Sequence, residues 1–376
     1  MAGYIFNLDN EISLKNSIEN GVYSTNLSQP QNNLWKIHHE GTFADYLSMK
    51  QGDNVYFFIN RKIYGLGELV NIEFDCKFLN YPNADIPTVP VYNYIKDSML
   101  LNNTESKIDN RCICTFKPSP YYFHNGIDMD DVLSSNPNSF RMLRAFWKVS
   151  FIKIDDEENK ALKDIILKRN EEFLTNPAGT FDFKDSLQLS IGNKLSSEYN
   201  IGSNNILKYC SSGAKIRHEM AIEAHIIDVI SQDDKNIFGR WDYVSHQVIA
   251  SPFKPIDYMD KMDLFGFSYI PGFNTISKYL LVEIKKDKAT IEAVDQVMKY
   301  VDWINQEYAH GEYYMINAFI VAFEFPAEVI NYKNLVCKRN YIRGRRPTKA
   351  DLWSNVKLIK YRYNNVTNGL DFEEIE

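Results

Sequence analysis

In LLVEIKKDKAT, Leu280 to Thr290, a carboxylate and an ammonium stand two residues apart inside an apolar run: Glu283 and Lys285. Alternate residues of a strand share a face, so both project from the same side. Burying either costs on the order of several kcal/mol unless it is paired or ligates something. Upstream, KMDLFGF sets a second carboxylate, Asp263, among Met262, Leu264 and Phe265. An Asp on one strand followed by Glu-x-Lys on the next brings two carboxylates and a lysine to one sheet edge. The carboxylates can share a hard cation such as Mg²⁺, with Mn²⁺ as a substitute, through oxygen ligands. Such a cation activates a bound water and polarises a phosphoryl oxygen. Lys285 can orient that water or stabilise the charge that develops. The chemistry is phosphodiester hydrolysis. The plainer alternative is an exposed edge strand carrying an ordinary ion pair. Asp257 and Asp260 compete with Asp263, but no apolar strand follows either, and they read as loop residues.

Other residues point the same way. In AKIRHEMAIEAHIIDVI, Ile216, Met220, Ile227 and Ile230 recur at helical spacing and Glu223 falls in their stripe, with Glu219 one turn earlier. A carboxylate there suits either a metal site or the margin of a helix reaching solvent. His218 and His225 read as surface residues. In TIEAVDQVMKYVDWINQEY, Val294, Val297, Met298, Val301 and Ile304 make a core face. Gln296 and Tyr300, four apart, stack on a neighbouring face, where they reach the site, a DNA backbone or solvent. Finally, CKRNYIRGRRPTKADLW carries Lys338, Arg339, Arg343, Arg345, Arg346 and Lys349 with no acid before Asp351. It reads as a DNA contact, since each phosphate contact steepens salt dependence. Its alternatives are a solvated loop and a subunit contact with the acidic DFEEIE terminus.

The elements that must position these groups form an α/β pattern. From about Gly213 the spacing predicts a helix over 214–230, a strand over 244–251, a strand over 262–270 and the Glu283 strand. A long helix over 290–308 and a strand over 316–325 follow. Residues 1–154 read as mainly β, a small barrel or sandwich. GDNVYFFINRKIYGLGELVNI, 52–72, is a hairpin turning at Asn60-Arg61-Lys62, and strands are expected at RCICTF and FWKVSFIKI. DDEENKALKDIILKRNEEFL, 155–174, has the acidic start of a helix, and Asn176-Pro177 stops it. Residues 155–212 then form a helical linker region between an N-terminal domain, 1–154, and a C-terminal one, 213–376, with its basic segment.

Composition bounds the partners. The 376 residues are 44% hydrophobic and 14% aromatic, enough for two or three packed cores. A net charge of -7 repels nucleic acid on average, so any such partner needs a local basic surface. Five scattered cysteines make no zinc spacing and suit free thiols in a reducing cytoplasm. MAGYIFNLDNEISL is not a signal peptide, and no apolar run is long enough to span a membrane.

Together MDLFG, LLVEIKK and QVMKY resemble the Asp, Glu-x-Lys and Gln-x-x-x-Tyr elements of the PD-(D/E)xK nuclease superfamily, RecB-like branch, over roughly 213–325. Met262 stands where that family's motif often has proline. The resemblance implies a restriction-endonuclease-like mixed sheet flanked by helices. Asp263 and Glu283 would bind the metal, Lys285 would assist the nucleophile, and Glu219 or Glu223 would complete the site. A distinct N-terminal module before such a block resembles the Shedu-type anti-phage nucleases. This implies a homo-oligomer, dimer or tetramer, acting on invading DNA, with the N-terminal domain sensing a signal or restraining the nuclease. MKQGDNVYFFINRKIYGLGELV resembles the strands of PUA- or EVE-like barrels, where Trp35, Tyr56, Phe58 or Tyr64 would stack on a base; the plainer reading puts them in the barrel core. The alternatives to an active nuclease are an inactive nuclease fold that binds DNA or oligomerises, and a restriction enzyme dependent on a modified base.

Overall fold

A computed structural model describes residues 1–101, 105–146, 151–232, 235–251 and 259–376. The chain divides into two compact units, Met1–Gly202 and Ser203–Glu376.

The first unit is built on a mixed sheet. Its strands are β1 (Gly3–Asn7), β2 (Val22–Asn26), β3 (Asn54–Ile59), β4 (Lys62–Leu69), β5 (Lys77–Leu79), β6 (Asn110–Pro118), β7 (Ile127–Asp128) and β8 (Phe151–Ile154). The path runs β2-β6-β4-β3-β1-β8, with β5 on β6 and β7 on β4. No pair closes it into a barrel among the described residues, so the expected barrel or sandwich becomes an open sheet with helices packed on it. The β1–β3 pair is parallel and the rest antiparallel. Every residue of NVYFFI in β3 is buried, as a strand covered on both faces requires. The hairpin between β3 and β4 turns at Asn60 and Arg61, both with positive φ, the geometry that matches strand twist in a two-residue loop.

The helix expected after residue 155 runs Asp156–Arg169, and the Asp155 carboxylate caps it by accepting from Glu158 N–H. It belongs to the first unit, where a linker was expected. Asn159 on its inner face accepts from Tyr56 Oη at 2.8 Å and donates to Asn54 at 2.9 Å. The strand expected over FWKVSFIKI is shorter: Met142–Phe146 is helical and β8 begins at Phe151. Residues 147–150 lie outside the described ones.

The second unit opens with a helix, Asn204–Cys210, and a small hairpin of β9 (Ser211–Ser212) and β10 (Lys215–Ile216). That hairpin turns at Gly213, whose φ of 65° favours glycine, and it delays the next helix to Glu219–Gln232. The helix expected from 214 therefore starts five residues later, and Ile216 lies outside it. Next come β11 (Tyr243–Ile249), β12 (Lys261–Tyr269), β13 (Ile276–Lys288), a helix Ile291–Ile304, β14 (Ile316–Glu324) and a helix Ala327–Val336. A hairpin of β15 (Arg339–Arg345) and β16 (Thr348–Trp353) precedes β17 (Val356–Asn364) and β18 (Gly369–Ile375). The main sheet runs β11-β12-β13-β14-β17-β18. Its β13–β14 and β14–β17 pairs are parallel. A parallel pair cannot be joined by a tight turn, and the Ile291–Ile304 helix makes the β13–β14 crossover. Its expected face, Val294, Val297, Met298, Val301 and Ile304, is buried. This α/β layer is the architecture expected for the unit, extended by two strands the sequence reading did not reach.

Candidate active site

The site begins in strand register. β11 and β12 pair through His246↔Leu264 and Val248↔Met262, which sets Gln247 opposite Asp263. β12 and β13 pair up to Leu264↔Val282, so the next residues outward are Asp263 and Glu283. Gln247, Asp263 and Glu283 thus form one row across three strands. Beyond Leu264 the ladder gives way to a side chain: Asp263 Oδ2 accepts from Ile284 N–H at 2.7 Å.

Glu283 is fully buried, and its neighbours on β13 from Leu280 to Ile284 are buried with it. Its Oε1 lies 2.5 Å from Lys285 Nζ, while Oε2 is buried with no hydrogen-bond partner among the described residues. The ion pair offered as the plain alternative is present, yet it sits on a central strand and satisfies only half of the carboxylate. Leaving such an oxygen bare is costly unless something else meets it.

The Glu219–Gln232 helix packs against β13 and brings two more carboxylates. Glu219 Oε1 accepts from Lys286 N–H at 3.1 Å. Glu223, 2% exposed, accepts from Gln247 Nε2 at 3.1 and 3.3 Å, and His246 Nδ1 lies 3.6 Å from it. Residues four apart on a helix stack, so both acids face the sheet.

Crowding shows in the proton affinities. Burial pushes the Asp263 carboxyl well above the usual range, the Glu283 and Glu223 charges push it further, and Ile284 N–H and Lys285 only partly oppose them. Burial likewise raises Glu283 to about 7 in spite of the Lys285 ammonium, with Glu219 and Glu223 adding repulsion. Burial works against the charged form of Lys285, but the Glu283 carboxylate outweighs it and the net shift is upward. A cluster that holds its carboxyls this way lacks positive charge, and that deficit is what a hard, oxygen-seeking cation supplies. The residues present fit such an ion.

Gln296 and Tyr300 sit beside this row and touch each other: Gln296 Nε2 donates to Tyr300 Oη at 2.8 Å. Tyr300 is buried, and its hydroxyl donates to Lys261 O at 2.8 Å, fixing the start of β12. Its hydroxyl is therefore spent inside the fold, where a DNA-backbone contact was expected. Lys299 next to it pairs with Asp260 at 2.6 Å, so Asp260 braces β12 from outside the carboxylate row. Asp257 lies outside the described residues.

The basic segment is an antiparallel hairpin, where a solvated loop was one of the alternatives. Arg339 grips Asp302 through two parallel hydrogen bonds, 2.8 and 2.7 Å, and donates its third nitrogen to Lys338 O at 2.9 Å. It anchors the hairpin to the Ile291–Ile304 helix, with each of its three guanidinium nitrogens engaged within the fold. Arg343 lies over the Tyr314 ring, 4.7 Å from its centroid. Lys338, Arg346 and Lys349 are exposed; the Arg345 side chain is outside the described ones.

Two histidines and a glutamine revise the sequence reading. His225, expected at the surface, is 6% exposed, bonded to Ser203 Oγ at 2.7 Å and accepting from Leu370 N–H at 3.1 Å. His246 and Gln247 join the site although nothing in SHQVI marks them as more than alternating strand residues. Of the N-terminal aromatics, Trp35, Tyr56 and Phe58 are buried in the first unit's core and Tyr64 is half-buried. All five cysteines are buried. No described helix is long and apolar enough to cross a membrane.

No protein-family model matches this chain, and no curated protein matches it. Among solved structures, a repair endonuclease from Pyrococcus abyssi shares 22% identity over 30% of this chain and 43% of its own, at a TM-score of 0.22. The chain therefore spans less than half of that endonuclease. Rpa0253 from Rhodopseudomonas palustris shares 10% identity over 44% of this chain and 92% of its own, TM-score 0.27. A hypothetical protein from Leishmania major shares 14% over 46% and 97%, TM-score 0.28.

Proposed function

We propose that this chain is a Mg²⁺-dependent endodeoxyribonuclease, with Mn²⁺ as a substitute, of the PD-(D/E)xK type and its RecB-like branch. One observation carries the reading: a fully buried glutamate, Glu283, whose second oxygen has no partner among the described residues and which faces Asp263 among further acids. Asp263 and Glu283 would hold the ion, with Glu223 and Glu219 at its margin. When bound, the cation supplies an activated water and a counter-charge for the phosphoryl oxygens. Lys285, fixed by Glu283, keeps its ammonium protonated and offers donors to the attacking water or to the phosphate. Gln296 acts through Tyr300, holding β12 so that Asp263 keeps its place in the row. Exposed Lys338, Arg346 and Lys349 are the groups best placed to meet DNA phosphates.

In this reading the separate N-terminal unit targets or restrains the nuclease, as in Shedu-type defence or in restriction. The enzyme works as a cytoplasmic homo-oligomer, dimer or tetramer. The division of the chain into two compact units supports that separation of tasks. A PUA- or EVE-like base reader is the form of targeting the N-terminal strands suggest, with half-buried Tyr64 the most exposed of Trp35, Tyr56, Phe58 and Tyr64.

The test is cleavage of linear and supercoiled DNA by wild type and Glu283→Ala, in Mg²⁺ or EDTA. Cleavage that needs the metal and disappears in the variant is the expected result. DNA binding without cutting under Mg²⁺ or Mn²⁺ would sink the enzyme reading and favour an inactive nuclease-fold module.

A further inference from the structure

Gln247 has no part in the reaction as described above, yet it stands in the carboxylate row. Its φ of 53° is strained for any residue with a Cβ and persists only where the surroundings hold it. The backbone pair with Asp263 is lost there, although register resumes at Val248↔Met262. What holds the side chain is charge. Nε2 lies 3.1 and 3.3 Å from the two Glu223 oxygens and 3.4 Å from Asp263 Oδ1. Ionised carboxylates only accept, so the amide must present its nitrogen to them. The other Asp263 oxygen is already engaged by Ile284 N–H. The Gln247 amide therefore sits against Asp263 Oδ1, the oxygen that Ile284 N–H leaves open to a cation, and against Glu223 at the margin of that site.

We infer that Gln247 is a positioning residue that stands in for the cation. Resting on the reading of this cluster as a cation site, the inference adds what sets that site's affinity. In the metal-free chain the amide protons bridge Glu223 and Asp263 and keep both aimed into the row. Cation binding takes Asp263 Oδ1 away from the amide, so part of the binding energy goes into breaking that contact. The residue keeps the site assembled before the metal arrives and makes the metal bind more weakly than the carboxylates alone would.

Mn²⁺ titration of the full chain, followed by electron paramagnetic resonance, tests this together with thermal midpoints in EDTA. Gln247→Met keeps the side chain's length without its donors. Gln247→Gly removes the donors and also the left-handed strain, so it folds even if the methionine variant does not. Both variants are expected to bind Mn²⁺ roughly threefold to tenfold more tightly than wild type, from the loss of one charge-assisted contact. The methionine variant should also melt lower in EDTA and recover most of the difference in saturating Mn²⁺. Wild type that binds Mn²⁺, with both variants binding equally or more weakly, overturns the inference alone. Wild type that takes up no Mn²⁺ overturns the cation site and the inference with it.

Discussion

Lys285 Nζ lies 2.5 Å from Glu283 Oε1, so the half-buried lysine of β13 neutralises one edge of a fully buried carboxylate and leaves the other bare. The pair is asymmetric in what it can lose. Glu283→Gln keeps the size and removes the charge that burial and two acidic neighbours, Glu219 and Glu223, already oppose. The fold should survive in EDTA with its midpoint unchanged or higher. DNA cleavage should fall at least about a hundredfold, and the midpoint rise on adding Mg²⁺ should vanish. Melting curves with and without Mg²⁺ beside a nicking assay check both halves. A variant that cuts normally ends the role given to Glu283.

Lys285→Met removes the cation that pulls the Glu283 proton affinity down, so that carboxyl should rise above its present value of about 7. A protonated carboxyl does not ligate a metal, so the pH at which Mn²⁺ begins to bind must move upward. Mn²⁺ binding followed from pH 6 to 9 measures the shift, and an unmoved onset argues against the coupling. Cleavage at saturating Mn²⁺ should still be lower by roughly a hundredfold, the size typical of removing one well-placed donor.

These two residues were legible in the sequence because charge inside LLVEIKK is anomalous by residue type alone, and Asp263 in KMDLFGF is anomalous in the same way. Gln247 was not legible, since its role comes from a backbone conformation and a register that SHQVI does not encode locally. β18 escaped for a different reason. As an edge strand it exposes Asp371, Glu373 and Glu374, and its pattern reads as a charged tail. In the first unit, the Glu11–Asn20 helix buries only Leu14 and Ile18, too weak a period to stand out, and Asn10 and Gly21 cap it. The Ile37–Leu47 helix holds Gly41 and buries most of its length, so tertiary packing rather than helical propensity stabilises it. In the first unit the helices that escaped are one buried along most of its length and one that buries almost nothing.

The basic hairpin separates two kinds of arginine. Arg339 is bound to Asp302, and Arg339→Ala should loosen the hairpin, leaving a carboxylate without its fork partner. Arg346 and Lys349 are exposed. If they meet phosphates, Arg346→Ala and Lys349→Ala should each lower the slope of log affinity against log salt by about 0.9 and leave the melting midpoint in place. Fluorescence anisotropy on a DNA duplex at several salt concentrations reads the slope. Unchanged slopes in both variants would move the DNA contact off this hairpin.

His225 makes stability depend on acid. Its Nε2 accepts from Leu370 N–H, which fixes the neutral ring with its proton on Nδ1, donating to Ser203 Oγ. Ser203 in turn donates to Asp228 at 2.6 Å. Protonation would put a second N–H against the Leu370 amide, and burial alone lowers the ring's proton affinity to about 4 from 6.5. A base depressed on folding binds its proton more readily in the unfolded chain. Its contribution is therefore complete above pH 6.5 and is lost as pH falls toward 4, by up to on the order of 3 kcal/mol. Glu283 and Glu158 carry raised proton affinities and slope the opposite way, so the bare pH profile mixes signs. The difference between wild type and His225→Gln isolates the histidine, because glutamine offers an oxygen to Leu370 N–H and does not titrate. Urea midpoints at pH 7.5 and 5.0 should fall less in the variant than in wild type. Equal falls would mean that the ring is already charged in the folded chain, against the hydrogen bonds that hold it.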